Sequence, residues 1–310
     1  MKLVTFERTE GAHQEIGAVE GNEIIVFDPA INPAFSSMLA LIEGGDAALA
    51  AARSALADGV RIALDKVRLR APLPCPVQMR DALTFEKHLR QARANRYIFD
   101  PSLKPGKPED TVVPQVWYDQ PVYYKGNRFS VSGPEDQIIW PKGETHLDYE
   151  LELGMVLGKG GTDIAAADAM DHVFGFMIFN DFSARDHQMA ETAVGLGPAK
   201  GKDFRTANAM GPWLVTKDEV GDGSGLTMIA RINGEEWSRG NSSEMHHSFA
   251  RVIEHVSRDE AVYPGEFFGS GTVGGGCGLE LGRFLNPGDV VELEIEGLGV
   301  LRSHIAPERR

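Results

Sequence analysis

The sequence predicts a strand-rich α+β fold, not a doubly wound parallel sheet. Three observations lead there. Apolar, β-branched and aromatic runs bounded by Gly and Pro recur along the chain. Helical patterns are few and fall between groups of strands instead of alternating with them. Glycine totals 35, with many at the junctions between strand-like runs. The first elements are "LVTF", "EIGAVEGNEIIVF", turning at Glu20 to Asn22, and "VRLRAPL". Between them, "PAFSSMLALIEGGDAALAAARSAL" predicts two short helices broken at Gly44 and Gly45. Residues 1–75 thus form a small β-rich N-terminal domain, and "APLPCP" (Ala71 to Pro76) reads as its linker to residues 76–310. Next, "DALTFEKHLRQARANR" predicts a helix, followed by the irregular, Pro-rich "FDPSLKPGKPEDTVVPQ". Then come the strands "PVYY", "IIW", "DYELELGMVLG", "HVFGFMIFND", "GPWLVT", "LTMIARING" and "VVELEIEGLGVL". Helical patterns intervene at "DIAAADAM" and "SEMHHSFARVIEHVSR".

Composition narrows the function. Of 310 residues, 42 % are hydrophobic and 25 % charged, the balance of a globular protein with a sizeable core. The net charge of −14 argues against nucleic acid, which needs a basic face. It also means that an anionic substrate needs local cations or a metal. No apolar run approaches the ~18 residues of a membrane helix, and the N-terminal residues lack an apolar signal core. The expectation is a cytoplasmic protein with no membrane partner. Two cysteines, Cys75 and Cys277, are too few for a disulfide scaffold or a thiolate metal cluster, and each reads as a small packed residue.

The chemistry concentrates in "HLDYELELGMVLGKGG". In a strand, Glu150 and Glu152 share one face while Tyr149, Leu151, Leu153 and Met155 share the other. Two arrangements fit: an outer face where both carboxylates are solvated, or a buried face where a divalent cation resolves their repulsion. "HVFGFMIFNDFSARDHQ" adds an apolar strand ending at Asp181, followed closely by Ser183, Arg185, Asp186, His187 and Gln188. "GPAKGKDFRT" places Lys202 in a Gly-rich loop. Convergence of Glu150, Glu152 and Asp181 makes an all-oxygen site, which selects Mg²⁺, Mn²⁺ or Ca²⁺ over zinc or copper.

Other patterns fail on context. "GSGTVG" (Gly269 to Gly274) matches a dinucleotide fingerprint, but no helix pattern follows and no βαβ layout surrounds it. Its glycines suit close approach of backbone to a ligand. "GPAKGKD" is not a phosphate loop, since Asp203 follows Lys202. His246, His247 and His255 lack metal spacing and read as a solvated helix start.

Taken together, "DYELELGMVLG", "GFMIFNDFSARDHQ" and "LGPAKGKDFRTANAMGPWLVT" resemble the fumarylacetoacetate hydrolase family in order and spacing. "PGEFFGSGTVGGG" fits its late Gly-Thr-Gly loop, and "GCGLEL" and "GLGVLRSHI" look like its C-terminal strands, so the resemblance runs from about Asp81 to the C-terminus. It implies a mixed β-roll, a homodimer, and a Mg²⁺, Mn²⁺ or Ca²⁺ site acting on 2-oxo or 1,3-dioxo acids. By motif, Glu150, Glu152 and Asp181 correspond to metal ligands. Arg185, Gln188, Tyr124 and Thr272 correspond to substrate contacts, and Lys202 to a catalytic cation. Glu280 corresponds to the glutamate that orients a catalytic histidine. The hydrolase naming the family has an aspartate ligand and, seven residues on, that histidine. In "TFEKHLRQARANR", Glu86 and His88 supply a fourth ligand and the base.

The implied reaction is hydrolysis of a carbon–carbon bond in an acylpyruvate or fumarylacetoacetate-like acid. His88, backed by Glu280, activates water, and Lys202, Arg185 and Gln188 stabilise the resulting oxyanion. Residues 81 to about 112 would close as a lid. The alternatives are a decarboxylase, isomerase or hydratase of the same family, or a non-catalytic metal-binding protein.

Overall fold

The computed structural model describes residues 1–8 and 13–309. Its largest sheet has twelve strands, and its spine explains how distant segments meet. In order across that spine lie Arg61–Ala63, Glu23–Val26, Gln14–Glu20, Lys2–Arg8, Asn208–Thr216, Val173–Asp181, Leu151–Leu157, Phe267–Gly269, Met79–Ala82 and Tyr123–Lys125. The predicted N-terminal strands therefore do not form a sheet of their own. Lys2–Arg8 pairs antiparallel with Asn208–Thr216, with Leu3 opposite Leu214. One apolar cluster also spans both parts, joining Leu3, Ile16, Phe27 and Leu41 to Met177, Phe179, Leu214 and Phe267. The expected linker is packed accordingly: Ala71 and Leu73 are buried.

A second sheet is ordered Glu235–Asn241, Thr227–Ile232, Val290–Ile295, Gly299–Ile305 and Gln137–Ile138; it divides "VVELEIEGLGVL" into two strands, whereas "GCGLEL" forms a short helix, Gly278–Leu281, and not a strand. Leu293 and Ile295 from this sheet share a core with Leu151, Leu153 and Met155 of the first. This places the Glu-bearing strand between two apolar layers. All seven residues of Leu151–Leu157 and all nine of Val173–Asp181 are buried. A charged side chain there needs a partner.

Helices form where expected at Met38–Glu43, Gly45–Asp58 and Glu86–Ala94. Phe249–Ser257 is also helical, and the Ser248 hydroxyl caps it by accepting from Arg251 N–H, a contact worth about 1 kcal/mol. "DIAAADAM" differs from expectation. Only a short 3₁₀ turn forms, at Ala169–His172, while Asp163 at the start of the run takes a left-handed φ of 54° and donates its N–H to the Ser257 carbonyl. Of the two histidines before Phe249, His246 is exposed as expected and His247 differs. His247 is buried, packs against the Trp117 ring and hydrogen-bonds the Trp117 carbonyl at 2.7 Å, so it is a core group and not a solvated one.

Candidate active site

Strand register alone brings the key carboxylates together. Glu152 lies opposite Phe179, two residues before Asp181, in the antiparallel pair. On the other side, Leu151–Leu157 pairs with Phe267–Gly269, which runs parallel to Met79–Ala82 and sets Gly269 beside Asp81. Asp81 in turn faces Tyr124 across the next antiparallel pair. Glu150 precedes the strand and bridges Cys277 through its backbone.

The solvated reading of the glutamate pair fails, since Glu150 is 5 % exposed and Glu152 and Asp181 are 0 %. Oxygens of Asp81, Glu152 and Asp181 all lie within 4.8 Å of one another. The glycine run supplies the space. A Cβ on Gly269 would fall 2.2 Å from Asp81 Oδ1 and 2.9 Å from Glu152 Oε2. Gly271 N–H donates to Glu152 Oε2 at 3.0 Å and to Asp81 Oδ1 at 3.2 Å, and Thr272 Oγ1 donates to Glu152 Oε1 at 3.3 Å. These are few donors for three buried carboxylates. Asp181 Oδ1 is buried with no hydrogen-bond partner at all.

Glu150 has a different partnership. Its carboxylate ion-pairs with Lys202 and with Arg185 Nη2 at 2.7 Å. Lys202 Nζ also donates to Asp181 Oδ2 at 2.6 Å, and so does the Tyr124 hydroxyl, also at 2.6 Å. Arg185 holds Gln188 Oε1 at 2.8 Å and is itself gripped by Asp148 Oδ2 at 2.7 and 2.8 Å. Asp148 also accepts the N–H groups of Gly278 and Leu279 at 2.7 and 2.9 Å. One buried carboxylate thereby fixes both Arg185 and the turn that presents Glu280. Asn95 Nδ2 secures the same turn by donating to the Leu279 and Glu280 carbonyls, each at 2.9 Å.

His88 Nδ1 hydrogen-bonds Glu280 Oε1 in a very short contact, and His88 is only 8 % exposed. The helix carrying His88 forms one wall of a cavity of about 320 Å³ that also receives Asp81, Tyr124, Glu150, Glu152, Arg185, Gln188, Lys202 and Thr272.

Glu86 does not join this group. It sits on the other side of the helix start, where its Oε1 accepts from Arg90 Nε and from the Tyr118 hydroxyl, both at 2.7 Å. The Tyr118 hydroxyl and the Arg90 guanidinium hold its half-buried carboxyl below the usual range, and the carboxylate that stands with Glu152 and Asp181 is Asp81, not Glu86. Asp81 stands seven positions before His88. That interval was readable in the chain, but "QMRDAL" carries no alternation to mark a strand. Asp148 left no sequence signal, because its partners lie far along the chain.

Burial sets the protonation of the site. It pushes Asp81 up to about 7, with the Asp181 charge adding to the rise. Burial, then Asp81 and Asp181, push Glu152 well above the usual carboxylate range, and burial also raises Asp181. Burial opposes ionisation of Glu150 too, but Lys202 and Arg185 outweigh it and hold Glu150 down at about 2. Burial works against charged Lys202, and the Asp181 and Glu150 carboxylates more than restore it. Burial likewise opposes charge on His88, yet the adjacent Glu280 raises it above an ordinary histidine.

The chain is similar to known proteins along most of its length. Residues 79–306 match the family model described as fumarylacetoacetate (FAA) hydrolase C-terminal. The chain is 33 % identical over 307 residues to the Homo sapiens protein named oxaloacetate tautomerase FAHD2A, mitochondrial, covering 97 % of this chain and 90 % of that one. It is 37 % identical over 192 residues to the 2,4-didehydro-3-deoxy-L-rhamnonate hydrolase of Sphingomonas sp. (strain SKA58), covering 61 % of this chain and 66 % of that one. The solved fumarylacetoacetate hydrolase of psychrophilic Exiguobacterium antarcticum superposes with a TM-score of 0.76 at 25 % identity, covering 99 % of this chain and 100 % of that one. Among the described residues no helix is long and apolar enough to cross a membrane. With its strand-rich mixed fold and this match over most of its length, the chain belongs to the fumarylacetoacetate hydrolase family.

Proposed function

We propose that this protein is a divalent-cation-dependent enzyme that moves a proton in a 2-oxo acid by way of its enol, as an oxaloacetate tautomerase does. The observation that carries this reading is buried His88, paired with Glu280, lining the same cavity as Asp81 and Glu152, whose carboxylates cluster with that of Asp181. A cation fits those three carboxylates, because they are all-oxygen donors, mutually repelling, and leave Asp181 Oδ1 without a partner. When bound, Mg²⁺, Mn²⁺ or Ca²⁺ supplies Lewis acidity to the oxygens of the substrate. The protein's own groups do the rest. His88 holds a proton readily, with Glu280 fixing its Nδ1, and exchanges that proton with the substrate carbon. Lys202 carries a fixed positive charge beside the site of the developing oxyanion. Arg185 and Gln188 present donors to a substrate carboxylate at the cavity wall. Tyr124 and Thr272 orient Asp181 and Glu152 while bordering the same space.

The likeness to the Homo sapiens tautomerase along nearly the whole chain favours this reading over simple carbon–carbon hydrolysis. Hydrolysis is the second reading. It uses the same groups plus an attacking water, and the 37 % identity to the rhamnonate hydrolase supports it. The two separate in one assay. Enol oxaloacetate is mixed with enzyme and Mg²⁺ or Mn²⁺, and the loss of enol absorbance is followed together with the products. Enol decay with oxaloacetate conserved fits tautomerisation. Cleavage of an acylpyruvate into two acids with no effect on the oxaloacetate enol would replace the proposal by the hydrolase.

Two expected outcomes follow from the electrostatics. Lys202→Met should lower kcat by roughly 10²–10³, and without metal it should also lower the unfolding midpoint, since it strips the buried Glu150 and Asp181 carboxylates of their cation. A normal kcat would remove Lys202 from the chemistry. Cation binding should also release protons below about pH 7, where Asp81 and Glu152 still hold them. Affinity then rises with pH up to that range. Calorimetry in buffers of different ionisation heat checks it, and an apparent binding heat identical in all of them at pH 6 contradicts it.

A further inference from the structure

A second set of ligand-capable atoms converges on His88. One atom each of His88, Cys277 and Glu280 lies within 4.8 Å of the others, and all three residues are buried. Cys277 is a free thiol. Glu280 spends only Oε1 on His88, and its Oε2 is buried without a hydrogen-bond partner. An unsatisfied buried carboxylate oxygen beside a thiol and an imidazole is an arrangement that neither packing nor the proton-transfer role of the pair requires.

We propose that His88, Cys277 and Glu280 form a binding site for a borderline-soft divalent cation, Zn²⁺ above all, and that filling it inhibits the enzyme. The ligand set decides the metal. Nitrogen, sulfur and carboxylate oxygen are the donors zinc takes at about 2.0–2.3 Å, with a fourth position left to water. The carboxylates of Asp81, Glu152 and Asp181 offer only hard oxygens, which suit Mg²⁺ or Mn²⁺. The cavity thus reaches two donor sets of different softness, one at His88 and the other at Asp81 and Glu152. Binding releases the thiol proton and the proton shared by His88 and Glu280, and no redox step is involved. Access is through the cavity, which His88 and Leu279 line. Inhibition, unlike binding, rests on His88 and Glu280 being the proton-transfer pair, because a cation held by both leaves no proton to exchange.

The test uses the full chain preloaded with excess Mg²⁺. Co²⁺ is added as the spectroscopic probe, and thiolate-to-cobalt charge-transfer absorption is recorded. The band is expected in the parent and in Cys75→Ala, absent in Cys277→Ala, and abolished by Zn²⁺. In parallel, Zn²⁺ should inhibit turnover, and Cys277→Ala should keep the basal rate while raising the Zn²⁺ midpoint by at least about 100-fold, the loss of a direct ligand exceeding that of an outer-shell partner. Cys277→Ser, which preserves volume, serves if the alanine variant does not fold. No thiolate band in the folded parent, a band that survives Cys277→Ala, or Zn²⁺ inhibition unchanged in the variant each overturns the proposal. The band reads the site even if no oxo acid is turned over, so failure here is distinct from failure of the functional reading.

Discussion

His88→Ala is expected to lose roughly 10²–10⁴ of its turnover and to keep its affinity for Mg²⁺ or Mn²⁺. The imidazole is buried and hydrogen-bonded to Glu280, and it does not touch the carboxylates that would hold the cation. Removing it takes away the proton carrier and leaves the cation site intact. Glu280→Gln gives a finer readout. The Glu280 charge is what lifts His88 against the burial that would lower it. Without that charge the His88 pKa falls, and the pH–rate limb belonging to His88 moves to lower pH. If the reaction needs His88 protonated, it is the alkaline limb that moves. If it needs His88 neutral, as water activation does, it is the acid limb. A turnover unchanged in His88→Ala, or a profile unmoved in Glu280→Gln, would remove the pair from the mechanism.

Asp81→Asn is expected to weaken cation binding by more than about 100-fold, again taking a direct ligand as costlier than an outer-shell one, whereas Glu86→Gln should leave it unchanged. The two substitutions separate the residue that the fold brings to the site from the one that sits nearest His88 in the chain. Stability adds a second signature. Asp81 is raised to about 7, so ionising it in the folded protein is unfavourable. Relative to an ordinary aspartate, it costs stability above the unfolded pKa of about 3.9. That cost is absent below the unfolded pKa and fully present above about pH 7. At pH 8 without metal, Asp81→Asn should therefore melt at a higher temperature than the parent. Adding Mn²⁺ should raise the parent and not the variant. Equal metal-induced shifts in Tm for both proteins would show that Asp81 holds no cation.

The sequence carried the acidic pair, the strand ending at Asp181 and the loop bearing Lys202 because each announces itself locally. Alternation exposes Glu150 and Glu152, and an apolar run with an abrupt polar end exposes Asp181. It did not separate their tasks. Glu150 turns out to be neutralised by Lys202 and Arg185, and that depends on chain segments brought in from elsewhere. Asp81 sits in a strand of four residues, Met79–Ala82, too short to show a period. Its place beside Gly269 is set by a parallel pairing that no local pattern encodes. Arg185 was legible as a cation near the substrate. Its anchorage on Asp148, which also holds the turn before Glu280, was not. Likewise, the N-terminal strands were readable individually, while their pairing partner lies at the far side of the chain, with Lys2 opposite Val215.

That last pairing bears on how the chain can be cut. A fragment of residues 76–310 would retain every group of the cavity yet bare the flank of Asn208–Thr216 that Lys2–Arg8 now covers. It would also uncover the apolar side chains of Met177, Leu214 and Phe267. An open flank of that kind is a template for self-association. The part that carries the cavity is therefore not portable, and a truncated chain should precipitate or recruit a substitute strand instead of folding on its own.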